Sequence, residues 1–244
     1  MKDTIQRNSQ IKNDYKFIQY PLFLHQDFLD DVKKTMQNIL AFGVYMKSLN
    51  NETGNVDIEI GMKYFNLELD YHEKLDYKVI GSTIKDTLDA RTKEPQPSIS
   101  LNMLLEFMRE DKTQFEVICL SAYLGCKSIM GKKSYCPTNC KHVLARIMGY
   151  SSYHKISNEL EPHTLKLFRK YIDLNGNVKK YMFRKLFEEL ESDWRLRKVS
   201  ASGYRGIVLG KKDKCSYNQM KNYIKDIKDR KADRKKRCKI EKIE

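Results

Sequence analysis

The sequence predicts a mainly α fold carrying one small β-hairpin. Most of its apolar residues recur at three- and four-residue spacing, the period of helices that bury one stripe. Two short runs near the C-terminal end, Trp194 to Val199 and Tyr204 to Leu209, instead flank Ser200-Ala201-Ser202-Gly203, a hairpin signal. The chain has 244 residues, 41% of them hydrophobic and 32% charged, which suits one large or two modest globular domains.

In order along the chain, residues 1–15 are polar and expected to fray. Phe17 to Leu24 is a short apolar run interrupted by Pro21, read as an edge strand or an extended segment on the core. From Asp27 to about Ser48, the residues Leu29, Val32, Met36, Ile39, Leu40 and Gly43 trace a helical stripe. Residues 50–55 form a loop. Residues 56–80 fit either period: Val56, Ile58 and Ile60 alternate like a strand, whereas Ile60, Tyr64 and Leu67 fit a helix, which is preferred. A short helix entered at a serine is expected over Ser82 to Arg91. Thr92 to Ser98, with Pro95 and Pro97, is a candidate linker, and a further short helix spans Leu101 to Arg109.

In the second half, Thr113 to Met130 carries a broad apolar face and Gly131 ends it. Thr138 is expected to cap a helix running to Met148, with Gly149 closing it. Glu161-Pro162 opens another helix, whose buried side is Leu165, Phe168, Tyr171 and Ile172. Asn175-Gly176-Asn177 makes a turn, with Asn177 as N-cap. The helix from Val178 to Glu191 then buries Met182, Phe183, Leu186, Phe187 and Leu190. Its outward face begins with Lys179, Lys180, Arg184 and Lys185 and ends with Glu188, Glu189 and Glu191. That polarity opposes the helix dipole, which favours acids first and bases last. A helix that presents its N-terminal end to phosphates and base edges has a reason to be charged this way.

A helix, a glycine-containing turn, a basic helix and a hairpin studded with Arg195, Arg197, Lys198 and Arg205 follow one another here. In this order, spacing and charge, residues of about 111–210 resemble the winged helix-turn-helix superfamily, in which a recognition helix leads into a β-hairpin wing. The resemblance implies duplex binding, with Lys179, Lys180, Arg184 and Lys185 on the recognition helix and Arg195, Arg197 and Arg205 on the wing as nucleic-acid contacts. The organisation expected is a helical region over 1–98, the winged-helix domain over 99–210 and a basic tail over 211–244. The tail holds 14 lysines and arginines against 6 acids, so it carries +8 of the chain's +14. It is expected to be helical at first, on Tyr217, Met220, Tyr223, Ile224 and Ile227, and mobile after about Asp229.

A net charge of +14 and a pI near 9.3 point to a polyanionic partner. DNA is the partner expected, with RNA as the other nucleic acid open to it, and the N-terminal half is available for a homodimer or a protein partner. No apolar run is long enough to span a membrane, and the polar N-terminus has no signal-peptide core. The 6 scattered cysteines suit a reducing cytoplasm.

Cys136, Cys140 and His142, with Cys126 upstream, suggest zinc. However, Cys140 and His142 sit two apart near a helix start and point to different sides of it. Gly125 to Lys133 departs from a phosphate-binding loop in spacing and in the residue after its Gly-Lys. No cofactor, metal or catalytic constellation is expected. The chain therefore reads as a non-catalytic DNA-binding protein of transcription regulation or replication in a bacterium, phage or plasmid. Its rival is a structural or protein-interaction module that uses the same winged surface.

Overall fold

A computed structural model describes residues 16–152 and 180–240. Two compact units divide the chain, Met1–Thr113 and Gln114–Glu244. Among the described residues the chain is mainly helical, with two small antiparallel sheets.

The first unit is built around helix α1, Val32–Ser48. Asp31 caps it, its side chain accepting from the Lys34 amide at 2.9 Å. Met36, Ile39, Leu40, Phe42 and Val44 are all buried, because α1 is wrapped by α2 (Ile58–Phe65), α3 (Tyr71–Asp89) and α4 (Leu101–Arg109). Strand β1 (Phe17–Gln19) pairs with β2 (Ser98–Ser100), with Ile18 opposite Ile99 and both side chains in the core. A 3-10 turn, Leu22–Asp27, follows β1.

The second unit begins with α5 (Gln114–Met130), β3 (Tyr135–Thr138) and α6 (Cys140–Ile147). It resumes with α7 (Lys180–Ser192), β4 (Leu196–Val199), β5 (Ile207–Lys211) and α8 (Tyr217–Ile240). The sheet order is β3-β5-β4, all antiparallel, with Cys136 opposite Leu209 and Val199 opposite Val208. On one face α5 packs on β3 and β5, and α7 packs on β4. On the other face α8 lays Met220 and Ile224 against Val199 and Val208.

Several expectations change. Residues 56–80 are helical, but Asn66 breaks them at a left-handed φ of 55°. The helix expected from Ser82 is part of α3, which starts at Tyr71 because Asp70, its N-cap, and Glu73 form a reciprocal capping box. Ser82 instead donates to the Val79 carbonyl within the helix. The proline stretch does not hang free: the carbonyls of Pro95 and Pro97 accept from the amides of Leu22 and Tyr20 at 2.8 and 3.1 Å.

Thr138 ends β3, and Asn139 caps α6 by accepting from the His142 amide at 2.8 Å. Strand β3 was not foreseen; it tolerates Pro137 because it is a sheet edge. The hairpin strands are shorter on the first arm and shifted later on the second, leaving residues 200–206 as the connection, with Gly203 at φ 70°. The tail is helical through Ile240, well past the point where order was expected to stop. The helix expected from Glu161-Pro162 and the Asn175–Asn177 turn lie outside the described residues.

Alanine normally favours a helix over glycine, but α2 crosses α1 too closely for that at Gly61. A methyl there would lie 2.2 Å from the Val44 carbonyl oxygen, and the Gly61 amide donates to Ser48 Oγ at 3.1 Å. The clash outweighs the propensity gain, so Gly61→Ala is expected to destabilise the first unit by about 1–3 kcal/mol. Faster amide exchange in α1 and α2 would register it; unchanged exchange would mean the two helices can separate without cost.

Candidate nucleic-acid interface

Helix α7 is held from one side. Phe183, Leu186, Phe187 and Leu190 are all buried, which turns the intervening residues outward. The first turn has no acid and the last turn no base. Arg184 is 71% exposed and its Nε lies 3.3 Å from Glu188, one turn on. Such an exposed pair is worth about 0.3–0.5 kcal/mol. Lys185 is also exposed, and its ammonium lies 5.2 Å from the centre of the Phe115 ring. Lys180 is the first residue of the helix, and Lys179 lies outside the described residues.

The hairpin arginines are placed at three different levels. Arg195 precedes β4 with a left-handed φ of 52°, and its carbonyl accepts from the Lys212 amide at 2.8 Å. Its guanidinium pairs with Asp213 at 3.1 Å, so it sits at the root of the ribbon. Arg197 is only 16% exposed and donates to Glu191 at 2.9 Å, bracing the end of α7 against β4. Arg205 is exposed in the connecting loop, at the opposite end of the ribbon from Arg195. Among the described residues it has no acidic partner within ion-pair distance. Arg184 and Arg205 both lie on the solvent side, whereas Arg197 serves the scaffold.

Trp194 is half-buried at the ribbon root, its ring 5.0 Å from that of Tyr123. The two line a cleft of about 200 Å³ with Lys127, Arg195 and Lys211. Burial, with Lys211 close by, holds the Lys127 ammonium below the usual lysine range.

Cys126, Cys136 and Cys140 of the zinc-like array are free thiols, the first two buried, and His142 is held by neighbouring side chains. Cys126 is fully buried in α5, and burial pushes its thiol well up. The ring of His142 lies 3.3 Å from the Thr138 hydroxyl and accepts from Arg146 Nε at 3.1 Å. Among the described residues no group of three metal-binding side chains converges.

Two groups outside the expected set enter the picture. Lys228 of α8 donates to the Ser202 carbonyl in the connecting loop at 3.0 Å, and Lys231 lies 5.9 Å from the Tyr204 ring. The signal was in the sequence: Lys228 and Lys231 follow Ile224 and Ile227 at four-residue spacing, on the rows that pack.

Lys198 yields a pH test. Its ammonium is partly buried, 4.8 Å from the Phe187 ring centre, and burial lowers its pKa below the 10.5 of free lysine. The unfolded chain therefore holds this proton more tightly, and the cost is fully present at neutral pH. It disappears as pH rises through the depressed value toward 10.5. Lys198→Met should be more stable than the wild type at pH 7, with an advantage that shrinks as pH climbs. Urea titrations followed by Trp194, the sole tryptophan, read this directly; a pH-independent difference would rule out the buried charge as its cause.

No family model, curated protein or solved structure matches this chain.

Proposed function

We propose that this chain is a non-catalytic nucleic-acid-binding protein that engages duplex DNA with α7 and the β4–β5 wing. Transcription regulation or replication in a bacterium, phage or plasmid is the setting that suits it. The observation that carries the reading is the exposed pair Arg184 and Lys185 on α7, a helix with no acid in its first turn and no base in its last, leading directly into the hairpin. The winged arrangement is supported further by β3, which comes from between two earlier helices and joins the hairpin's return strand as a third strand. Net charge of +14 favours a polyanion over a neutral surface.

In this reading α7 lies in the major groove and its first turns face base edges, while the wing tip meets phosphate. Arg184→Ala should cost about 1–3 kcal/mol on a preferred site and less on random duplex. Arg205→Ala should weaken both duplexes alike and flatten the salt slope by about one unit. Binding isotherms at several salt concentrations on selected and random duplexes distinguish the two. Equal losses on both duplexes for Arg184→Ala would mean that α7 only positions the protein.

A second reading, a protein-interaction module, is favoured by one feature of the first unit. Tyr71, Leu75 and Val79 form a four-residue-spaced row on α3 and are 77%, 51% and 56% exposed. If this row seats a second copy or another protein, Leu75→Glu should lower the mass measured by light scattering, alone or with the partner. An unchanged monomer before and after the substitution would dismiss self-association.

A further inference from the structure

We propose that helix α8 and the wing loop form one cationic edge, made by Arg205, Lys228 and Lys231, that lies along a phosphate strand of a nucleic-acid duplex. The inference rests on the nucleic-acid-binding reading above and adds to it a second arm.

The first turns of α8 are structural. Met220 and Ile224 are buried beneath Val199 and Val208, and Tyr223 packs edge-on against Tyr135 at 5.0 Å. One turn further along the same rows, Lys228 follows Ile224 and Lys231 follows Ile227. The packing face therefore changes from apolar to cationic as the helix passes the loop of residues 200–206. At that point Lys228 donates to the Ser202 carbonyl at 3.0 Å, and Lys231 lies 5.9 Å from the Tyr204 ring. Tyr204 and Ala201 in turn pack on the cluster that holds α8 down.

The wing is thus held against a helix. The acceptor on the wing is a neutral carbonyl, so Lys228 keeps its full charge and further N–H groups for a ligand. Both lysines are exposed, and among the described residues neither has an acidic partner within ion-pair distance. The helical period turns Asp226, Asp229 and Asp233 away from this edge. Arg205 stands, exposed, in the same loop that Lys228 grips and whose Tyr204 lies beside Lys231.

The chemistry favours a duplex over a lipid surface. Residues 228–234 read KDRKADR, with Ala232 their one apolar side chain. A helix that lies in a membrane interface needs an apolar face to bury, and this stretch has none. Phosphate neutralisation by counterion release needs only placed cations.

The test uses the full chain and a random-sequence duplex, titrated at three or more salt concentrations. Lys228→Gln, Lys231→Gln and Arg205→Gln should each flatten the slope of log K against log salt by about one unit. Lys228→Arg should keep the wild-type slope, and Arg230→Gln, on the far side of α8, should change it by less than half as much. Trp194 fluorescence in urea verifies that each variant is folded. If Arg205→Gln flattens the slope but the two α8 lysine variants do not, the shared edge is wrong and the wing reading stands. If all four glutamine variants act equally, the effect is general charge and the edge is wrong. If the wild type binds no duplex, both readings fall. Tighter binding to vesicles rich in anionic lipid than to duplex would overturn the duplex assignment in favour of a membrane surface.

Discussion

Strand β5 is the constraint on which the second unit depends. It is hydrogen-bonded along both edges, to β3 and β4, and Ile207, Val208, Leu209 and Gly210 are buried on both faces. Gly210 makes the double coverage possible, since a methyl there would lie 2.6 Å from Cys215 Sγ and 2.7 Å from Met220 Sδ. Each buried aliphatic side chain is worth about 1.5–3 kcal/mol, whereas an exposed ion pair contributes about 0–1 kcal/mol. The strand and its apolar neighbours position the candidate interface, and the arginine pairs trim it. Arg197 with Glu191 aligns α7 on β4, but only because Leu190 and Leu196 are already buried there.

The same comparison explains how α7 carries charges that oppose its dipole. Each misplaced charge costs about 0.3–1 kcal/mol when exposed. Phe183, Leu186, Phe187 and Leu190 outweigh that cost several times over. A helix pinned this firmly along one stripe is free to spend its other face on a ligand. Lys185 and Lys198 illustrate a middle case, with their ammonium groups near the aromatic rings of Phe115 and Phe187.

What the sequence made legible follows from how local each signal is. The stripe of α7, the short helix over Leu101–Arg109 and the existence of the hairpin are set by residues within one or two turns of each other. Strand β3 was invisible because four residues containing a proline have no period, and its partner β5 lies far along the chain. The break at Asn66 was hidden because its left-handed conformation interrupts a run that is helical on both sides. At the candidate interface, charge and order marked α7 and the hairpin. Exposure did not follow from charge: Arg197 and Arg205 look alike in sequence, yet one is held by Glu191 and the other stands in the loop. The tail misled because its apolar anchors occupy only its first turns, while the helix itself continues on charged residues.

The order of strands has a consequence for how the chain is made. The centre of the β3-β5-β4 sheet is its last strand in sequence, so β3 cannot take its place in the sheet until β5 has been made. On the ribosome α5 emerges early, with the apolar face that the sheet will later cover still open to solvent. The β4–β5 ribbon is local and closes quickly, but docking β3 onto it closes a loop spanning most of the unit, a slow step entropically. The second unit is therefore at its most aggregation-prone in the interval between the emergence of α5 and the docking of β5.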